Sequence, residues 1–179
     1  DGGGSTFTIY NKSDGSVALG PIQTSTLGTG ACANGAGDPI VLYDQLADRW
    51  LLSEFSNTSN TLCVYISQTN DPTANTWFPY AFDTPQFPDY PKYAVWPDAY
   101  YVSTNEGSPA AYAMDRTNML LGNPARPIQR FTAQRLAGFP FQALTPSDLD
   151  GATPPPANSP NYFVRHRDDE VHNPGTNDP

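Results

Sequence analysis

The stretch Asp38-Pro39-Ile40-Val41-Leu42-Tyr43-Asp44-Gln45-Leu46-Ala47-Asp48-Arg49-Trp50-Leu51-Leu52-Ser53 decides the fold. Two short apolar and aromatic runs, 39–43 and 50–55, flank an Asp-bearing turn. Each is too short for a helix, and β-branched and aromatic side chains suit a pleated strand. The plan returns along the chain. Asp38 stands 12 residues before Trp50, Asp89 stands 12 before Tyr101, and Asp150 stands 12 before Tyr162. The starts lie 51 and 61 residues apart, a spacing suited to four-stranded units of roughly 40–50 residues plus loops. Each unit is expected to open with an Asp, run an inner strand, turn, and return with an aromatic-rich second strand.

Working outward, further strand-like runs at 62–67 and 77–82 follow the first pair, separated by Asn57-Thr58-Ser59-Asn60 and Asn70-Asp71-Pro72. A second group at 93–96, 100–103, 110–115 and 128–133 is split by Pro97-Asp98, Asn105-Glu106-Gly107 and Gly122-Asn123-Pro124, and 116–121 reads as one short helical turn. Ahead of them, Phe7-Thr8-Ile9-Tyr10 and Val17-Ala18-Leu19 flank Ser13-Asp14-Gly15 as a hairpin, followed by a Gly/Ala/Thr loop over 24–37. Strands at such intervals mean an all-β sandwich, barrel or propeller, and the threefold Asp-to-aromatic spacing favours the propeller. The expected architecture is a single β domain over 1–179, a propeller-type array of about three four-stranded blades. It divides into an N-terminal hairpin and loop (7–36), blades at 37–86 and 87–137, a partial blade at 138–172 and a tail at 173–179. Propellers close with 4–8 blades. Three units make an incomplete ring, so the chain is expected to belong to a longer polypeptide or to be completed by another chain.

Composition narrows the class. The chain has 179 residues and a formal charge of −9, with only three Glu and two Lys against 15 Asp, 13 Asn and 17 Thr. With 19 Pro and 14 Gly there is little room for long helices, which excludes a helical bundle and a doubly wound α/β domain. Nucleic-acid binding needs a clustered basic footprint, and the only loose cluster is Arg126, Arg130 and Arg135. No run of 18 apolar residues provides a membrane-spanning helix. The chain opens Asp1-Gly2-Gly3-Gly4 without a Met and reads as mature or trimmed material.

Two cysteines, Cys32 and Cys63, are the whole thiol inventory. A disulfide between them fits a secreted, periplasmic or cell-surface protein; the alternative is two unrelated thiols, with Cys63 a buried apolar residue of its strand. Asn11-Lys12-Ser13 and Asn57-Thr58-Ser59 match the glycosylation acceptor pattern, a triplet that also arises by chance.

The phrases at 38–55, 69–107 and 113–125 ("DPIVLYDQLADRWLLSEF", "TNDPTANTWFPYAFDTPQFPDYPKYAVWPDAYYVSTNEG", "AMDRTNMLLGNPA") resemble a poorly characterised group of secreted bacterial propeller-like proteins. The Asp-Pro…Arg-Trp opening is similar, more loosely, to blades of sialidase and five-bladed glycosidase propellers. The first resemblance spans roughly residues 37–172 and implies a propeller without an activity to transfer. The second implies an Asp and a Glu on inner strands. Asp38 matches the Asp, but no Glu stands at a comparable inner-strand start.

Asp38, Asp89 and Asp150 are the candidate site residues. At inner-strand starts they would crowd around a central channel, where they would hold calcium or, if the protein is an enzyme, act as a carboxylate pair in glycoside hydrolysis. Alternatively each caps its own turn. Asp71, with Asn70, adds a turn of oxygen donors for calcium. His166, Asp168, Glu170 and His172 would share one face of a strand and suit a divalent ion, or form a solvated charged edge. Asp148-Leu149-Asp150-Gly151 only superficially opens a calcium loop, since Pro154-Pro155-Pro156 interrupts it. No nucleophile motif and no phosphate-cradling glycine loop is present. The aromatics Trp77, Tyr80, Tyr90, Tyr93, Trp96, Tyr100 and Tyr101 either stack on sugars or fill the wedge between blades. The functional expectation is an extracellular, non-catalytic scaffold or binding module that engages a protein partner, the rest of its own chain or a glycan. The alternative is a carbohydrate-active hydrolase using the axial Asp residues.

Overall fold

A computed structural model describes residues 4–138, 141–151 and 153–166. Among these residues the fold is all-β with one short α-helix, in four antiparallel sheets. A hairpin of β1 (Thr6–Tyr10) and β2 (Val17–Gln23) comes first. Two four-stranded meanders follow. The first runs β3 (Gly35–Asp44), β4 (Arg49–Ser56), β5 (Thr61–Ser67) and β6 (Trp77–Asp83) in spatial order. The second runs β7 (Lys92–Val95), β8 (Tyr100–Thr104), β9 (Ala110–Met114) and β10 (Gln129–Thr132), with helix α1 (Arg116–Leu121) between its last two strands. A small pair, β11 (Thr145–Pro146) with β12 (Phe163–Val164), closes the series. Among the described residues no helix is long and apolar enough to cross a membrane.

Local chemistry explains each break. Asn11 and Gly15 close the first hairpin, with Gly15 at φ +73° and Asp14 accepting from the Ser16 amide. Asp44 accepts from the amides of Leu46 and Ala47 at 3.1 Å, folding the chain from β3 into β4. Asp71 accepts from the Thr73 amide at 2.9 Å and starts the single 3-10 turn before β6. Asp115 caps α1, and Gly122 ends it in the left-handed region at φ +70°. A side chain at Gly122 would also meet the Phe78 ring at 2.4 Å.

The sheets stack face on face in chain order. Every residue of β5 is buried, because alternate side chains serve two different interfaces. Leu62, Val64 and Ile66 join Leu51 and Phe82 against Tyr93, Tyr100, Val102, Tyr112 and Met114 of the second meander. Each such aliphatic side chain contributes roughly 1.5–3 kcal/mol on burial. Cys63 and Tyr65 point the other way, joining Leu52 and Cys32 against Phe7 and Leu27 of the N-terminal segment. Between the two meanders the closest strands are their first, β3 and β7, and β11 lies on β7 and β8.

One buried ion pair pins the meanders together. Asp44 of β3 takes the Arg116 guanidinium through Nε at 2.7 Å and Nη2 at 2.9 Å, and the Tyr100 hydroxyl donates to it at 2.8 Å. Cys32 and Cys63 form a disulfide with Cα atoms 5.6 Å apart, which ties the 24–37 segment to β5.

Strand placement follows the sequence reading through β10, and part of the 24–37 segment is more ordered than a loop. It makes two 3-10 turns, and β3 already begins at Gly35. The third unit differs more. Among its described residues only two-residue strands form, and Asp150 follows β11 instead of opening a strand. Its 12-residue distance to Tyr162 spans a Pro-rich excursion, not a strand–turn–strand unit. Among the described residues each sheet is open at both edges, and no strand pairing closes a barrel.

Candidate functional site: an aromatic cleft between the hairpin and the first meander

Stacking the hairpin on the first meander leaves a cleft of about 530 Å³ at one end of their interface. Its hairpin wall carries Phe7, Ile9, Tyr10 and Lys12; its sheet wall carries Val41, Trp50, Leu52 and Trp77. Strand alternation places the sheet residues together. Val41 pairs with Leu52 and Tyr43 with Trp50 across β3 and β4, on the face turned to the hairpin.

Both indoles are anchored by their N–H groups. Trp50 Nε1 donates to the Asn70 carbonyl at 3.2 Å, and Trp77 Nε1 donates to Asn75 Oδ1 at 3.1 Å. The 68–76 loop therefore holds both tryptophans by their polar edges. Phe7 meets Trp77 edge-on at 6.0 Å, and Tyr43 packs on Trp50 at 4.8 Å. The Tyr43 hydroxyl and Asn70 Nδ2 both donate to Asp48, and those two hydrogen bonds hold its carboxyl below the usual aspartate value. Among the lining residues Lys12 carries the charge, and none is a carboxylate. The volume lies within the range of small-ligand sites, mostly apolar with a few polar groups at the rim.

The Asp residues singled out above lie elsewhere. Asp38 is exposed, with φ +47° in the irregular start of β3. Asp89 lies ahead of β7, where its Oδ2 accepts from Asn105 Nδ2 at 3.0 Å. Asp150 is exposed in the 147–162 excursion. Asp71 caps its own turn, and the Thr73 hydroxyl and amide lower its pKa. Among the described residues no group of three or more His, Cys, Asp or Glu is placed to hold a metal ion. His166 is exposed; Asp168, Glu170 and His172 lie outside the described residues.

The loose arginine cluster is spoken for. Arg126 pairs with Asp115, Arg130 with Glu106, and Arg135 donates to the Gly107 carbonyl. Of the aromatics considered for stacking, Tyr93, Trp96 and Tyr100 are buried. Tyr80 donates to the Met119 carbonyl at 3.2 Å, and Tyr101 to Asp98 at 3.0 Å. Trp77 lines the cleft. Phe7, Tyr10 and Trp50 were not among the stacking candidates, and no local pattern marks them. Pairing through β5 sets Trp50 beside Trp77 on one sheet, and docking of β1–β2 onto that sheet brings Phe7 and Tyr10 to them.

No family model, no curated protein and no solved structure matches the chain.

Proposed function

We propose that the chain is a non-catalytic, glycan-binding module of an extracytoplasmic protein, with the aromatic cleft as its saccharide site. The reading rests on one observation: two half-buried indoles line one cleft with their N–H groups already bonded to the chain's own loop, which leaves ring surface and not N–H donors for a ligand. A pyranose presents an apolar C–H face, which suits the electron-rich face of an indole. A ligand read through its carbonyl groups would instead need those N–H donors free. The absence of a carboxylate from the lining favours binding over hydrolysis, which in its common form uses two carboxyl groups about 5–10 Å apart. The disulfide supports an oxidising compartment.

The same reading takes the two meanders as consecutive blades of a propeller-type array, completed by further blades of a longer polypeptide or another chain. Their strand order and the close approach of their first strands support it. Small-angle scattering of the intact natural assembly would test it, a ring-shaped particle being expected.

Titrating the protein with neutral and acidic oligosaccharides, read by tryptophan fluorescence in a Trp96→Phe background, tests the cleft. Saturable quenching is expected for at least one glycan. Trp50→Ala and Trp77→Ala should each weaken it about fivefold or more, at roughly 1 kcal/mol per stacked ring. Binding unchanged in both variants would reject the cleft. Turnover of aryl glycosides, lost in Asp38→Asn, would establish the hydrolase alternative instead.

A further inference from the structure

Glu54 is 1% exposed, on β4 opposite Cys63, and faces the hairpin. Its Oε2 accepts the Ser5 backbone N–H at 3.1 Å, immediately before β1. Its Oε1 makes no hydrogen bond of ordinary geometry, and the buried Ser5 hydroxyl lies beside the carboxyl, where it favours the charged form in part. The carboxyl also packs on Gly35, where a Cβ would lie 2.3 Å from Oε2, so a side chain at the first residue of β3 would have to displace the carboxyl. No ion pair neutralises Glu54 among the described residues. The segments around it are the Ser5 approach to β1, Gly35 of β3, the Cys32 turn and β5. From these, the titratable group that faces it is Tyr65, whose hydroxyl donates to the Cys32 carbonyl at 3.3 Å. Cys32 and Cys63 do not titrate, being joined in the disulfide.

A buried carboxyl with one oxygen bare and no cation is stable in its neutral form and costly in its ionised form. Opening the hairpin would let water reach that oxygen. We infer that Glu54 is a pH-sensitive latch, whose ionisation loosens the β1–β2 hairpin that forms one wall of the aromatic cleft. Burial raises the Glu54 carboxyl above its ordinary value of 4.5, offset in part by the Ser5 hydrogen bonding. A raised acid makes the closed state hold its proton where the open state has lost it. The hairpin is then most firmly closed at and below about pH 4.5. Its opening equilibrium rises by up to tenfold per pH unit above that, and levels off once the closed state also ionises.

Hydrogen exchange of the full chain from pH 4 to pH 8, corrected for the intrinsic pH dependence, reads this directly and needs no ligand. Protection over residues 6–23 should fall with rising pH while that of β8 and β9 holds, and Glu54→Gln should flatten the hairpin's response. A pH-independent hairpin, as expected if an ordered water satisfies Oε1, would overturn the latch. So would a slope that persists in Glu54→Gln, or a fall shared equally by all strands. Should Glu54→Gln fail to fold, the wild-type comparison of hairpin with β8–β9 decides alone.

Discussion

Replacing Arg116 by Ala tests whether the two meanders are held by their buried ion pair or by apolar packing alone. Asp44 is fully buried and receives five hydrogen bonds, from Leu46 N, Ala47 N, the Tyr100 hydroxyl, and Arg116 Nε and Nη2. The Arg116 side chain is 11% exposed, so water does little to screen the pair. Arg116→Ala removes two donors and the only cation bonded to Asp44, leaving a charged carboxylate between the sheets. Breaking a buried pair in this way costs about 3–5 kcal/mol. Three donors remain, which puts the expected loss near the lower end, about 3 kcal/mol. For a chain of this length that lowers Tm by roughly 6–12 °C. Urea unfolding followed by circular dichroism measures it. A double variant, Asp44→Asn with Arg116→Met, should recover most of the loss, because no charge is then stranded. If Arg116→Ala costs less than about 1 kcal/mol, the pair behaves like a surface ion pair and the pinning argument is wrong.

Two further outcomes follow from the same geometry. Cys32 and Cys63 close a loop of 31 residues, so Cys32→Ser with Cys63→Ser should cost about 3–4 kcal/mol in the loop-entropy model, read by urea unfolding. A loss under 1 kcal/mol would mean that the 24–37 segment is held by its hydrogen bonds without the cross-link. Asp115 is held well below the usual carboxylate range by hydrogen bonds from Arg126 and then Asn118. A depressed acid stabilises the fold above its unfolded value of 3.8, and that contribution fades as pH falls through its lower folded value. Asp115→Asn should therefore melt lower than wild type at pH 7, with the gap narrowing as pH falls below 3.8. A gap independent of pH would assign the loss to packing of the α1 cap.

Much of the strand pattern was legible in the sequence because it is local. Alternating runs such as Trp50–Phe55 and turn residues such as Asp14-Gly15 or Asp71-Pro72 act over a few positions, and the structure puts strands and turns there. The pairing of Cys32 with Cys63 was legible for a different reason: there were only two thiols to join. The Asp spacing was informative where it measured a strand, a turn and a strand, as at Asp38–Trp50. It misled at Asp150–Tyr162, where the same 12 residues cross an irregular excursion, because spacing does not record the conformation between its ends.

The face each strand turns to its neighbours was decided only in three dimensions. β5 reads as one apolar run, yet Val64 looks to the second meander and Tyr65 to the hairpin. Asp44 and Arg116 are 72 residues apart, and nothing near either one marks the other as its partner. The same holds for Phe7 with Trp77 and for Ser5 with Glu54. Alternation and turn chemistry are set by adjacent residues and survive in the sequence. A cleft wall or a buried carboxyl arises where separately formed sheets meet, and only the folded chain defines that meeting.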